Sequence, residues 1–129
     1  MKTVQNDIQN RLNEVGKYVA GELKPEGFWE GKLSSSALGV AVAVAALHFD
    51  NPKKNAGQIN NGIHWLQKNI NDDGSFGDTP ESPGNVSTSL LVYAALNLYS
   101  ANNSSVSDTQ KSIAGYLSSH KIDVSSPQV

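Results

Sequence analysis

Two stretches of this 129-residue chain repeat one pattern at a nearly constant offset. In the first, Tyr18-Val19 leads to Glu26-Gly27-Phe28-Trp29 and then to Ala45-Ala46-Leu47. In the second, Trp65-Leu66 leads to Asp73-Gly74-Ser75-Phe76-Gly77 and then to Ala94-Ala95-Leu96. The offset is 47 residues from Tyr18 to Trp65 and from Gly27 to Gly74, and 49 from Ala45 to Ala94. A third copy opens at Tyr116-Leu117, 51 residues after Trp65-Leu66. A period of this size marks a stacked or closed array of supersecondary units, each of which buries its apolar face only against its neighbours.

The hydropathy pattern within each copy is helical. Val4, Ile8, Leu12, Val15, Val19 and Leu23 recur at steps of three and four, one stripe of a long amphipathic helix that Pro25 stops. Glu26 to Gly31 reads as a turn, and Ser34-Ser35-Ser36 offers capping oxygens to a second helix over about 36–49. That helix, Ala37 to Leu47, has no polar face, and a helix apolar all round is expected to be buried all round. Its valines also suit a strand, but the equivalent Leu90-Leu91-Val92-Tyr93-Ala94-Ala95-Leu96 is a better helix former. After Asn51-Pro52, the residues Ile59, Ile63, Leu66 and Ile70 form a second amphipathic stripe. A long loop over 71–85 leads to another apolar helix over about 86–100. Asn102 to Ser105 reads as a polar turn, Val106, Ile113 and Leu117 mark a fifth helix, and the tail 123–129 is expected to fray. Amphipathic and fully apolar helices alternate, as outer and inner helices do in a concentric α/α barrel or an α-solenoid. One all-α domain over 1–129 is expected, with repeat 1 at about 4–50, repeat 2 at about 57–101 and the start of repeat 3 at about 106–122.

Composition removes several function classes. A net charge of −2 with a pI near 5.8 and no basic stripe argues against nucleic acid. The absence of cysteine excludes disulfides and thiolate metal sites and suits a reducing, cytoplasmic setting. The longest apolar run, Ala37 to Phe49, is too short to span a bilayer and lies mid-chain, and Met1-Lys2-Thr3 lacks the apolar core of an export signal. The sequons Asn85-Val86-Ser87 and Asn103-Ser104-Ser105 are therefore read as chance matches.

Gly62, Trp65, Leu66 and Gly74 resemble the QW repeat of the squalene and oxidosqualene cyclases, with Ile70 where Gln is usual and Phe76 where Trp is usual. The first copy keeps Gly16, Tyr18, Val19, Gly27 and Trp29. The strings 27–38 and 73–89 are also similar to those of bacterial cyclase-type repeat proteins, so the resemblance covers about 16–100. It implies an α/α-toroid, shared with the protein prenyltransferases, of which this chain holds about two and a half helical-hairpin repeats. That is an incomplete barrel, because a closed toroid needs roughly five to seven hairpins of this period. It also makes Trp65, Gly74 and Phe76 bracing residues on the outside of the barrel. Asp73-Gly74 would supply the turn, and Asn85, Ser87 and Thr88 could cap the next inner helix.

The family's chemistry is largely missing. Class II terpene cyclases protonate an alkene or epoxide with the middle Asp of Asp-x-Asp-Asp, and this chain has no such motif. Its one acidic pair, Asp72-Asp73, lies in the repeat turn, where a turn former and helix-dipole partner is the simpler reading. The zinc set of the prenyltransferases cannot be completed without cysteine, and His48, His64 and His120 lack metal-ligand spacing. His48 is read as a satisfied, half-buried group and His64 as solvated. No aspartate-rich helix, P-loop, Rossmann or nucleophile-elbow pattern occurs. Ser34 to Ser36 reads as a cap, and Phe49, Tyr93 and Tyr99 on the inner segments read as core. Catalytic, cofactor-binding and metal residues are accordingly expected to be none, with no cofactor.

Three readings follow. The first is a partial squalene-hopene-cyclase-like domain, whose parent chemistry is proton-initiated cyclisation of a polyprenyl substrate with the acid supplied from outside this chain. The second is a non-catalytic helical-repeat module that binds a partner or hydrophobic ligand on its inner face. The third, a carbohydrate-active α/α barrel, needs paired carboxylates on the inner segments, which contain none. Uncovered inner helices imply self-association, the remainder of a larger barrel or peripheral membrane contact.

Overall fold

A computed structural model describes residues 1–124. It divides into two compact units, Met1–Leu33 and Ser34–Val129.

The first unit is one helix and a turn. α1 spans Lys2–Gly21, and Pro25 bars its continuation by disfavouring helical geometry at Lys24. Its stripe of Val4, Ile8, Leu12, Val15 and Val19 is exposed. After the helix the chain doubles back. Gly27 N donates to Lys24 O, Lys24 N donates to Phe28 O, both at 2.9 Å, and Leu23 pairs with Trp29 in an antiparallel bridge. The Trp29 indole Nε1 donates to Val19 O at 2.7 Å, so the aromatic returns to the helix that precedes it.

The second unit holds α2 (Ala37–Asp50), α3 (Ala56–Lys68), α4 (Val86–Asn97), a 3₁₀ turn at Ser100–Asn102 and α5 (Ser104–Ser119). Among the described residues there is no strand, only isolated bridges. α2 packs on α3 and α4, and α4 packs on α5. Ala37, Ala41 and Val44 of α2 join Ile59, Ile63 and Leu66 of α3, Val92, Ala95 and Leu96 of α4, and Val106, Ile113 and Leu117 of α5 in one core. Each large side chain in it contributes on the order of 2 kcal/mol by leaving water. α3 approaches α2 closely at Gly62, where a Cβ would stand 2.7 Å from Val44 Cγ2.

The three helices that begin in this unit after an extended residue are capped alike. Ser36 Oγ accepts from Gly39 N at 3.1 Å, Asn85 Oδ1 from Thr88 N at 2.9 Å, and Asn103 Oδ1 from Val106 N at 3.3 Å. Ser36 and Asn85 are 49 residues apart, the same offset as the inner-helix alanines. Both sequon asparagines are thus occupied as caps.

Four expectations change. The apolar helices are buried on one face only: Leu38, Val42 and Phe49 of α2 and Leu90 and Leu91 of α4 are exposed, because neighbours cover one side of the pair. α4 stops at Asn97 rather than near Ser100, and the expected polar turn at Asn102 to Ser105 divides between the 3₁₀ turn and the first residues of α5. Ile70 lies beyond the end of α3 yet packs on the core. In the tail expected to fray, 123–129, Val124 packs on the core, and 125–129 lie outside the described residues.

Candidate functional site

The exposed sides of α2 and α4 form an open groove of about 470 Å³. Ala41, Val42, Ala45, Ala46 and Phe49 line one wall, and Leu91, Ala94, Ala95 and Leu98 the other. Eight of these nine residues are four repeat pairs at the 49-residue offset: Val42 with Leu91, Ala45 with Ala94, Ala46 with Ala95, and Phe49 with Leu98. The repeat therefore builds the groove from one set of helix positions used twice. Alanine at its floor lets the two helices lie close, while Phe49 stands 78% exposed at its edge. No ionisable side chain lines it. A surface lined by apolar side chains favours an apolar group, by removing hydrocarbon from water.

The second repeat turn lies elsewhere in this unit. Gly74 N donates to Asn71 O at 2.9 Å and Asn71 N donates to Ser75 O at 3.0 Å. These are the bonds of the first turn, moved by 47 residues. Gly27 and Gly74 both take positive φ, 87° and 83°. The aromatic two residues after each glycine differs in burial: Trp29 is 57% exposed and Phe76 only 1%. Phe76 N donates to Ser89 Oγ of α4 at 2.9 Å, and Phe76 pairs with Asn85 in a bridge. Trp65, the other bracing residue expected from the sequence, is half-buried against the core.

Of the acidic pair, Asp72 is exposed, and Asp73 closes the turn by accepting from Ser75 N at 3.0 Å and from Ser75 Oγ at 2.5 Å. Those bonds, the side-chain one first, hold its carboxyl below the ordinary carboxylate value. A proton donor for an alkene needs the opposite shift. The carboxylate at a helix start is Asp78 and not Asp73. It accepts from Asn85 Nδ2 and Thr88 Oγ1, each at 2.9 Å, and these two bonds lower its pKa. Sequence reasoning missed Asp78, whose partners Asn85 and Thr88 lie seven and ten residues further on and meet it only when the loop closes.

His48 is half-buried and hydrogen-bonded, its Nδ1 lying 2.7 Å from the Tyr99 hydroxyl. Burial raises the Tyr99 pKa. His64 is exposed, and His120 Nδ1 lies 3.0 Å from Tyr116 O. Among the described residues no group of three His, Asp or Glu is placed to hold a metal. Phe49 is not core, whereas Tyr93 and Tyr99 are half-buried and pack on the core as expected, Tyr99 from just past the end of α4.

A family model described as the squalene-hopene cyclase N-terminal domain matches residues 12–113. The chain belongs to that family. The match runs from α1 through both repeat turns and the groove-lining positions into α5. The all-helical architecture agrees with an α/α-toroid helical-hairpin segment of that domain. No curated protein and no solved structure matches the chain. Among the described residues no helix is long and apolar enough to cross a membrane.

Proposed function

We propose that the groove between α2 and α4 is the substrate-facing wall of a terpene-cyclase-like barrel, taking a polyprenyl hydrocarbon whose proton-initiated cyclisation uses an acid from outside this chain. The observation that supports this reading is the groove itself, four repeat pairs with no charged group among them. The depressed pKa of Asp73 is the reason for seeking the acid elsewhere. Family membership supplies the chemistry by analogy, since a fold alone does not set a function.

The test is binding and turnover with the purified chain. Nile red should bind and be displaced by all-trans-farnesol, and the chain alone should not cyclise squalene. Val42→Glu should weaken the dye at least about tenfold, because the new carboxylate must lose water in an apolar groove. Val42 is 51% exposed, so folding should survive the change. Failure of the wild type to bind any apolar probe would sink the reading.

The second reading, a non-catalytic module whose inner face meets a protein partner or another copy, draws on the exposure of Leu38 and Leu90 beyond the groove. A discrete oligomer that excludes Nile red would favour it.

A further inference from the structure

The groove has a built end. Phe49 and Leu98 are the last of its four repeat pairs. The residue beside each is polar and does not line the groove: His48 precedes Phe49, and Tyr99 follows Leu98. These two neighbours are joined, with His48 Nδ1 2.7 Å from the Tyr99 hydroxyl across 51 residues of chain. Their rings meet edge to face at 5.3 Å and 86°, and the His48 ring meets Phe49 in the same way at 5.3 Å and 82°. Phe49, His48 and Tyr99 are therefore in continuous contact, with Phe49 in the last repeat pair of the groove.

The α2 side of that end is tied down a second time. Asn55, 7% exposed, donates through Nδ2 to Leu47 O at 3.1 Å and to Asp50 Oδ2 at 3.0 Å. The last turn of α2 is thus held from two directions, whereas the walls of the groove meet through apolar side chains alone. A pair of helices joined at one end by a directional bond and elsewhere by non-directional contact is free to splay only away from that bond.

We propose that the His48–Tyr99 pair is the end-stop of the groove: it fixes Phe49 beside Leu98 and limits the length of apolar chain the groove accepts. The pair does not touch the ligand and acts as a positioning device. The proposal rests on the reading of the groove as a hydrocarbon site, and it adds what sets the length preference there.

The experiment is Nile red displacement on the whole chain by geraniol, farnesol and geranylgeraniol. In the wild type, affinity should rise from the C10 to the C15 alcohol and then level off. Tyr99→Phe keeps the ring and removes the hydroxyl. It should raise the ratio of C20 to C15 affinity by about fourfold or more, the gain from one further buried methylene. His48→Asn keeps an amide at the Nδ1 position and should hold the wild-type ratio. A clasp that served stability only would lower the melting temperature in Tyr99→Phe and leave the ratio unchanged, and that result overturns the end-stop while sparing the hydrocarbon reading. A wild type that binds none of the alcohols overturns both. If Tyr99→Phe fails to fold, His48→Leu provides the same loss of bonding, and an unchanged ratio there is equally decisive.

Discussion

Two residues in equivalent places show how local geometry and packing separate. Gly27 and Gly74 both occupy positive φ, where a side chain is strained. A Cβ at Gly27 would meet nothing within 4 Å, whereas one at Gly74 would run into the backbone carbonyl of Ser112 in α5. Gly27→Ala should therefore cost strain alone, about 1 kcal/mol, and Gly74→Ala strain plus displacement of α5, on the order of 3 kcal/mol. Urea denaturation of the two variants measures the difference, and equal losses would show that α5 does not press on the turn. Asp73 carries the pH dependence at this scale. Its folded pKa lies below the unfolded value, so its contribution is present above the ordinary carboxylate range and lost as pH falls through the folded value. The window lies below about pH 4. Asp73→Asn should flatten the acid limb of a stability-against-pH curve and leave its shape at neutral pH unchanged. The role of Asp73 as a turn former was readable, because Asp-Gly names its turn. That of Asp78 was not, because its partners Asn85 and Thr88 become neighbours only when the loop closes.

Among elements, the helices of the second unit were legible where side chains announce their starts. Ser36 and Asn85 stand where an N-cap is expected, and each accepts the expected bond. Removing a cap costs about 1 kcal/mol. Asn85→Ala should exceed Ser36→Ala in chemical denaturation, since Asn85 also donates to Asp78. The ends were less legible. Leucine and tyrosine carry the apolar pattern through Tyr99, but α4 ends at Asn97 and the backbone leaves α-helical geometry at Tyr99, whose hydroxyl meets His48. The bracing aromatics were seen as a class and not ranked. Phe76 is 1% exposed and Trp65 only half-buried, so Phe76→Ala should cost roughly 3–5 kcal/mol and Trp65→Ala less. A larger loss for Trp65 in thermal unfolding would reverse that order.

At the scale of the whole molecule, the bare face of α2 and α4 is the dominant fact, and apolar surface of this kind drives association or ligand capture. Light scattering over a concentration series should show self-association, and Leu91→Glu should reduce it without changing the melting temperature, because Leu91 is 41% exposed. An unchanged mass across the series would mean the face is not adhesive. The sequence by itself determined the period, the helical class, the two glycine turns and the family, because each is written in short-range pattern: spacing of apolar residues, Asp-Gly, and oxygen-bearing residues before apolar runs. It also determined that no charged residue falls on the inner helices between Ala37 and Leu47 or between Val86 and Asn97. Only the tertiary structure decided which side of those helices is covered. A run such as Ala37 to Leu47 is apolar in every direction, and its pattern holds no direction to read; the packing of α3 and α5 supplies one. The pairing of His48 with Tyr99 was decided in the same way, since a bond across 51 residues depends on how two helices meet and leaves no trace in either one's local sequence.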